Sequence, residues 1–99
     1  MKNCVGFEWD LGNFHKNWDK HKVLPQECEQ IFFNYPLLLQ NDDKHSHAEE
    51  RIYVLGKTDT ERLLFAVFTI RNSLIRIISD RGMSKNECKI YEKEEITKF

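Results

Sequence analysis

Three arginines, Arg71, Arg76 and Arg81, punctuate the most apolar part of the chain, and a histidine, His21, closes an apolar stripe near its start. Arg76 stands between Leu74 and Ile78. An arginine there can lay its stem along a sheet and keep its head in water, or it can hold an anion. The surrounding charge favours a local anion site without requiring one. From Arg51 to Lys85 there are seven bases and three acids, a net of +4, which leaves −5 for the rest of a chain whose total is −1. A basic centre between acidic ends can attract an anion, although charged strand ends on any solvated sheet give a similar pattern. His21 has two readings as well, a packed or capping residue or a functional one.

Other chemistries find less support. His45 and His47 beside Asp42 and Asp43 offer metal-ligand types. Two histidines at i, i+2 in a polar loop, with no softer ligand near in sequence, are a poorly organised pair, so no metal and no other cofactor is expected. The chain has no Gly-rich phosphate loop, H-E-x-x-H, G-x-S-x-G or paired metal-binding carboxylates, which removes the common enzyme classes that depend on them. Cys4, Cys28 and Cys88 are odd in number and widely spaced, so neither zinc nor a disulfide framework is indicated. That usage suits a reducing cytoplasm. No apolar run approaches the ~20 residues of a membrane span, and the N-terminal residues lack the apolar region of a signal peptide.

Elements must position these residues, and the 99 residues suffice for one domain, 1–99. The central element is a hairpin over Arg62 to Arg81, two runs of β-branched and aromatic residues flanking the polar pair Asn72-Ser73. If Arg71 pairs with Leu74, alternation fixes both faces. Leu64, Ala66, Phe68, Ile70, Ile75, Ile77 and Ser79 form a core face. Leu63, Phe65, Val67, Thr69, Arg71, Leu74, Arg76, Ile78 and Asp80 form a mixed face, expected to be open.

Before the hairpin, Cys4 to Trp9 reads as a strand. Asp10 is a suitable N-cap for a helix to about Lys22, with Leu11, Phe14, Trp18 and His21 in one stripe. A second helix is expected from Pro25, well placed at a first helical position, to about Phe33. Pro36 to Leu39 suggests a short edge strand, Asn41 to Glu50 a solvated loop, and Ile52 to Gly56 a strand. After the hairpin, Ser84 and Glu87 form a capping box for a last helix to about Glu95. The fold class is therefore α+β, with an antiparallel sheet, two N-terminal helices packed on one face and a C-terminal helix.

The segment FEWDLGNFHKNWDKHKV resembles the opening of the BrnT family of ribonuclease toxins, which starts with a strand reading FEWD and closes its first helix on Lys-His. Glu27 to Phe33, Glu50-Arg51, Leu55-Gly56-Lys57, Ile75 to Ile78, the S-x-R of Ser79 to Arg81, and Glu87 with Tyr91 follow in the family's order. Each motif is short, and the specificity lies in their order and spacing over nearly the whole chain. There are departures. Lys22 stands where the family has a glycine suited to a left-handed C-cap, Asp80 replaces the alanine of S-A-R, and Cys88 replaces an arginine.

The resemblance implies a RelE-like fold and a toxin of a type II toxin–antitoxin system that cleaves RNA without a metal. On that basis Arg76 and Arg81 are assigned to the phosphate and His21 to proton transfer, since an imidazole titrates near neutral pH. Lys20, Arg51, Arg71 and Tyr91 are assigned to RNA binding. The implied partners are RNA and a ribbon-helix-helix antitoxin, with operator DNA reached only through the antitoxin and no membrane. The departures keep open an alternative, a degenerate toxin that only binds its antitoxin.

Overall fold

The computed structural model describes residues 4–9, 21–42 and 49–97. Five strands form one sheet: β1 (Gly6–Glu8), β2 (Leu38–Asn41), β3 (Ile52–Lys57), β4 (Leu63–Arg71) and β5 (Leu74–Gly82). Their spatial order is β1-β5-β4-β3-β2. The pairs β2/β3, β3/β4 and β4/β5 are antiparallel, and β1 runs parallel to β5. Helix α1 (Pro25–Gln30) continues into a 3-10 turn (Ile31–Phe33), and α2 (Lys85–Thr97) is the last element among the described residues. No helix among the described residues is long and apolar enough to cross a membrane.

The central hairpin turns where expected. Arg71 pairs with Leu74, and Asn72 and Ser73 both have positive φ, 54° and 63°. Two consecutive left-handed residues are what a two-residue turn needs to match the twist of its strands. Ile75 and Ile77 then join Leu64, Ala66 and Phe68 in the core. The expected alternation fails one step later. Val67 pairs with Ser79 and Phe68 with Ile77, so Ile78 is a bulged, unpaired residue. One extra residue inverts the faces beyond it. Ser79 and Arg81 pass to the second face, and Asp80, expected there, turns into the core with 2% of its surface exposed.

α1 and the 3-10 turn cover the core face. Cys28 and Ile31 are completely buried against Val54, Leu64, Phe68 and Ile77. Phe32 meets Phe68 edge-on with ring centroids 5.1 Å apart, and Phe7 meets Phe32 at 5.5 Å. The Trp9 indole donates to Glu29 Oε2 at 2.7 Å, tying the end of β1 to α1. Gly56 is required by this contact. A Cβ there would lie 2.8 Å from Ile31 Cβ, so β3 could not approach the turn. The expected first helix, from Asp10 with its Leu11, Phe14 and Trp18 stripe, lies outside the described residues apart from its last residue, His21. Lys22 has φ 54°, taking the left-handed conformation at the helix end without a glycine.

The second face is partly covered, where the pattern had implied an open one, and Phe65, Leu74 and Arg76 on it are half-buried. Thr69 is 1% exposed, its hydroxyl donating to the Glu50 carbonyl at 2.7 Å. α2 reaches the same face: Lys57 pairs with Glu95 at 3.1 Å and Arg81 with Glu87 at 2.8 Å. The capping box forms as expected, Glu87 N–H to Ser84 Oγ at 3.2 Å and Ser84 N–H to Glu87 Oε1 at 2.8 Å. Tyr91 anchors the helix. It is fully buried, and its hydroxyl donates to the Pro36 carbonyl at 2.5 Å. Burial, and then the nearby Glu95 charge, push its pKa up to about 12, so it remains a donor at every physiological pH. Tyr91→Phe is expected to lower stability by ~1–2 kcal/mol, the cost of leaving the Pro36 carbonyl unpaired. Urea denaturation measures this, and an unchanged midpoint would show that the bond contributes nothing.

Candidate active site

The bulge at Ile78 determines which arginines can act together. Arg76 and Arg81 are five residues apart, an odd spacing that puts two side chains on opposite faces of a regular strand. The bulge supplies the missing step, and both belong to the second face, opposite Thr69 and Phe65 respectively. Bulges re-aim side chains in this way beside many active sites.

Arg81 is held firmly. Its Nη1 and Nη2 donate to the two Glu87 oxygens at 2.8 and 3.0 Å, and Nη1 also reaches the Gly82 carbonyl at 3.0 Å. Its guanidinium lies 4.1 Å above the Phe65 ring, which in turn packs on Tyr53 with centroids 5.5 Å apart. The aromatic face adds cation–π attraction. The three bonds use three of five N–H groups, and their planar fork fixes the direction of the others. The Arg81 hydrogen bonds hold the Glu87 carboxyl below its usual range, and Glu87 in turn raises the pKa of Arg81.

Arg51, Arg71 and Arg76 gather around a second carboxylate. Arg71 Nη2 donates to Glu49 Oε1. That bond, followed by the charges of Arg71, Arg76 and Arg51, lowers the Glu49 pKa. In the sheet Arg76 stands between Thr69 of β4 and Glu8 of β1. Three guanidinium groups within electrostatic reach of one carboxylate make this end of the sheet able to hold a phosphodiester, because arginine bonds phosphate oxygens as it does carboxylate oxygens.

His21 belongs to a different cluster. Its carbonyl accepts from Arg62 Nη2 at 3.3 Å, and the Lys22 carbonyl from Nη1 at 3.0 Å. Arg62 Nη1 also donates to both oxygens of Glu27, each at 3.0 Å. Burial raises the Glu27 pKa, but the Leu24 N–H, at 3.0 Å, and Arg62 more than offset it, leaving the group below its usual range. Beneath this pair, Asp80 faces Cys28. Burial pushes Asp80 up to about 6, against a hydrogen bond from the Cys28 thiol and the Arg62 charge. Burial and then the Asp80 charge push the Cys28 thiol well up, so it is no nucleophile at neutral pH.

Of the residues singled out in the sequence, Arg71, Arg76 and Arg81 therefore share one face of the sheet, and Arg51, just before β3, acts electrostatically on Glu49 together with Arg71 and Arg76. His21 makes its described contacts with the cluster at the start of β4. Lys20, like His45 and His47, lies outside the described residues. Tyr91 is corrected to a structural residue, because a fully buried ring has no face for a base to stack on. Glu49, Arg62, Glu27 and Phe65 were not singled out. Arg62 and Glu27 are separated by 35 positions, beyond any local spacing rule.

The comparisons with known proteins bear on this geometry. Residues 9–87 match the family model described as the ribonuclease toxin, BrnT, of type II toxin–antitoxin systems. No curated protein matches the chain. Among solved structures, the ribonuclease toxin BrnT of Brucella abortus is similar in fold, with a TM-score of 0.63 at 18% identity over 82% of this chain and 99% of that one.

Proposed function

Because this chain belongs to the BrnT family of ribonuclease toxins of type II toxin–antitoxin systems, we propose that it is a toxin that cleaves RNA without a metal ion and is neutralised by a cognate antitoxin. The observation that carries this reading is the Ile78 bulge, which aligns Arg76 with Arg81 on the face that also bears Arg71. The fold then belongs with the RelE-like toxins. Residues 1–99 form one toxin domain.

The chemistry follows from the residue types. RNA cleavage by the 2′-hydroxyl removes its proton, forms the bond from O2′ to phosphorus, breaks the bond from phosphorus to O5′, and returns a proton to O5′. A cyclic phosphate and a 5′-hydroxyl result, and atoms balance without a cofactor. Arg76 and Arg81 stabilise the charge that accumulates on the phosphate oxygens. His21 is assigned the proton, from its place beside Arg62 at the start of β4, the end of the sheet where Arg81 rather than Arg76 stands. Arg51, Arg71 and Lys20 hold the flanking backbone, where cations supply affinity rather than sequence choice. The antitoxin is of ribbon-helix-helix type and brings the pair to operator DNA, and the complex resides in the cytoplasm. The alternative of a binding-only toxin rests on the Asp80 and Cys88 departures. Asp80 turns away from the arginine face, so this acid does not oppose phosphate binding there and the alternative loses one support.

Expression alone is expected to arrest bacterial growth, with rescue by the neighbouring antitoxin gene. Purified protein should cleave RNA equally in excess EDTA and in magnesium. Normal growth with abundant soluble protein and no cleavage would overturn the ribonuclease reading in favour of the binding-only one. Loss of cleavage on chelation, restored by a single divalent ion, would overturn metal independence.

A further inference from the structure

Arg62 makes four side-chain hydrogen bonds, and the reaction above gives it no part. We propose that Arg62 is a positioning residue that sets the end of the first helix, and through it the imidazole of His21. This rests on the reading of His21 as the proton carrier.

The last carbonyls of a helix have no partner within it, and a cation is favoured at that end. Arg62 supplies both needs, with Nη1 and Nη2 on the Lys22 and His21 carbonyls at 3.0 and 3.3 Å. The arm is rigid. Its backbone is fixed by a pair of bonds to Thr58, N–H to Oγ1 at 3.0 Å and carbonyl from the Thr58 N–H at 2.9 Å, and Thr58 is buried. Its head is held by Glu27, which is itself fixed by the Leu24 N–H. The segment from His21 to Leu24 is thus clamped from the sheet and from α1 at once. The clamp acts where the backbone most needs it. Lys22 has φ 54°, a conformation that non-glycine residues seldom adopt, and its carbonyl is one of the two that Arg62 holds. A lysine at position 62 could not serve both carbonyls and the Glu27 carboxylate with the same fixed fork.

The test compares cleavage kinetics of Arg62→Met and Arg62→Lys, each with and without Lys22→Gly, and of His21→Ala. Arg62→Met should lower kcat by roughly 10²-fold, the cost of a displaced catalytic group, with KM unchanged because no RNA contact is lost. Arg62→Lys should recover little. Adding Lys22→Gly should restore much of the lost kcat, since glycine takes the left-handed conformation unaided. Urea denaturation of the same variants separates this from a general gain in stability: restored kcat without a restored midpoint supports the positioning role, and kcat that only follows the midpoint overturns it. If His21→Ala is inactive but Arg62→Met keeps its kcat, the positioning role is wrong and the proton-carrier reading stands. If His21→Ala cleaves as fast as the unaltered protein, that reading and this inference fail together. If Arg62→Met does not fold, Arg62→Lys decides the matter: wild-type kcat in that variant would overturn the proposal, and a depressed kcat raised by Lys22→Gly would support it.

Discussion

Arg76→Ala is expected to leave the protein folded and to reduce RNA cleavage by ~10²–10³-fold, the usual loss when one preorganised donor to a developing anion is removed. The fold should survive because Arg76 lies on the face opposite Ile75 and Ile77, which fill the core without it. Arg76→Lys should recover little, since a point charge does not reproduce a planar fork. Arg76→Met separates the chemical role from simple coverage of the sheet, because methionine keeps an apolar stem of similar reach. An active Met variant would end the phosphate assignment. A folded, inactive one that still binds the antitoxin would separate catalysis from partner recognition. Unfolding of both the Ala and Met variants would make Arg76 a structural charge.

Arg81 should respond differently to the same treatment, for a reason visible in its contacts. Its fork is shared between Glu87 and the Gly82 carbonyl, and Glu87 also caps α2. Losing Arg81 releases a carboxylate as well as the proposed phosphate contact, so part of any defect is in α2. Kinetics on Arg76 variants are therefore the cleaner measure of phosphate binding.

The two arginines also mark how far sequence patterning carries. The turn at Asn72-Ser73, the Arg71 to Leu74 register, the capping box at Ser84 and Glu87, and the start of α1 at Pro25 all follow from short-range rules, and the structure has them. Alternation then predicts Arg76 and Arg81 on opposite faces. What joins them is one extra residue, Ile78, and isoleucine in a strand carries no sign that it is the one left unpaired. The parallel pairing of β1 with β5 is equally silent, because nothing in three residues names a partner 68 positions away. Thr69 was expected on an open face for the opposite reason. The alternation was right about direction, but the Glu50 backbone covers it, and tertiary cover leaves no local pattern. The Lys22 departure was legible in kind: a left-handed residue was required at the helix end, and a lysine supplies it.

The bulge has a second consequence, which appears in stability rather than activity. It turns Asp80 into the core beside Cys28, where one carboxylate oxygen, Oδ1, is buried without a hydrogen-bond partner among the described residues. A carboxyl raised to about 6 in the folded chain, against an unfolded value near ~3.9, binds its proton more tightly when folded. Its stabilising contribution is complete below the unfolded value, declines as pH rises through that window, and is gone above the folded one. Two pKa units correspond to at most ~3 kcal/mol. Asp80→Ala removes the buried charge and is expected to stabilise the protein by ~1–3 kcal/mol at about pH 7.5, with no gain at about pH 4. Glu27, Glu49 and Glu87, whose carboxyls are held below their usual range, act in the opposite sense and lose stabilisation as pH falls. The comparison must therefore be between the two proteins at each pH, by urea denaturation. Because Asp80 faces away from Arg76 and Arg81, the variant should cleave RNA as the parent does. Parallel stability curves across this range would mean that Asp80 carries no penalty as an anion. A variant that is stabilised as expected but loses cleavage would show that the Asp80 charge reaches the arginine face through the strand that carries both.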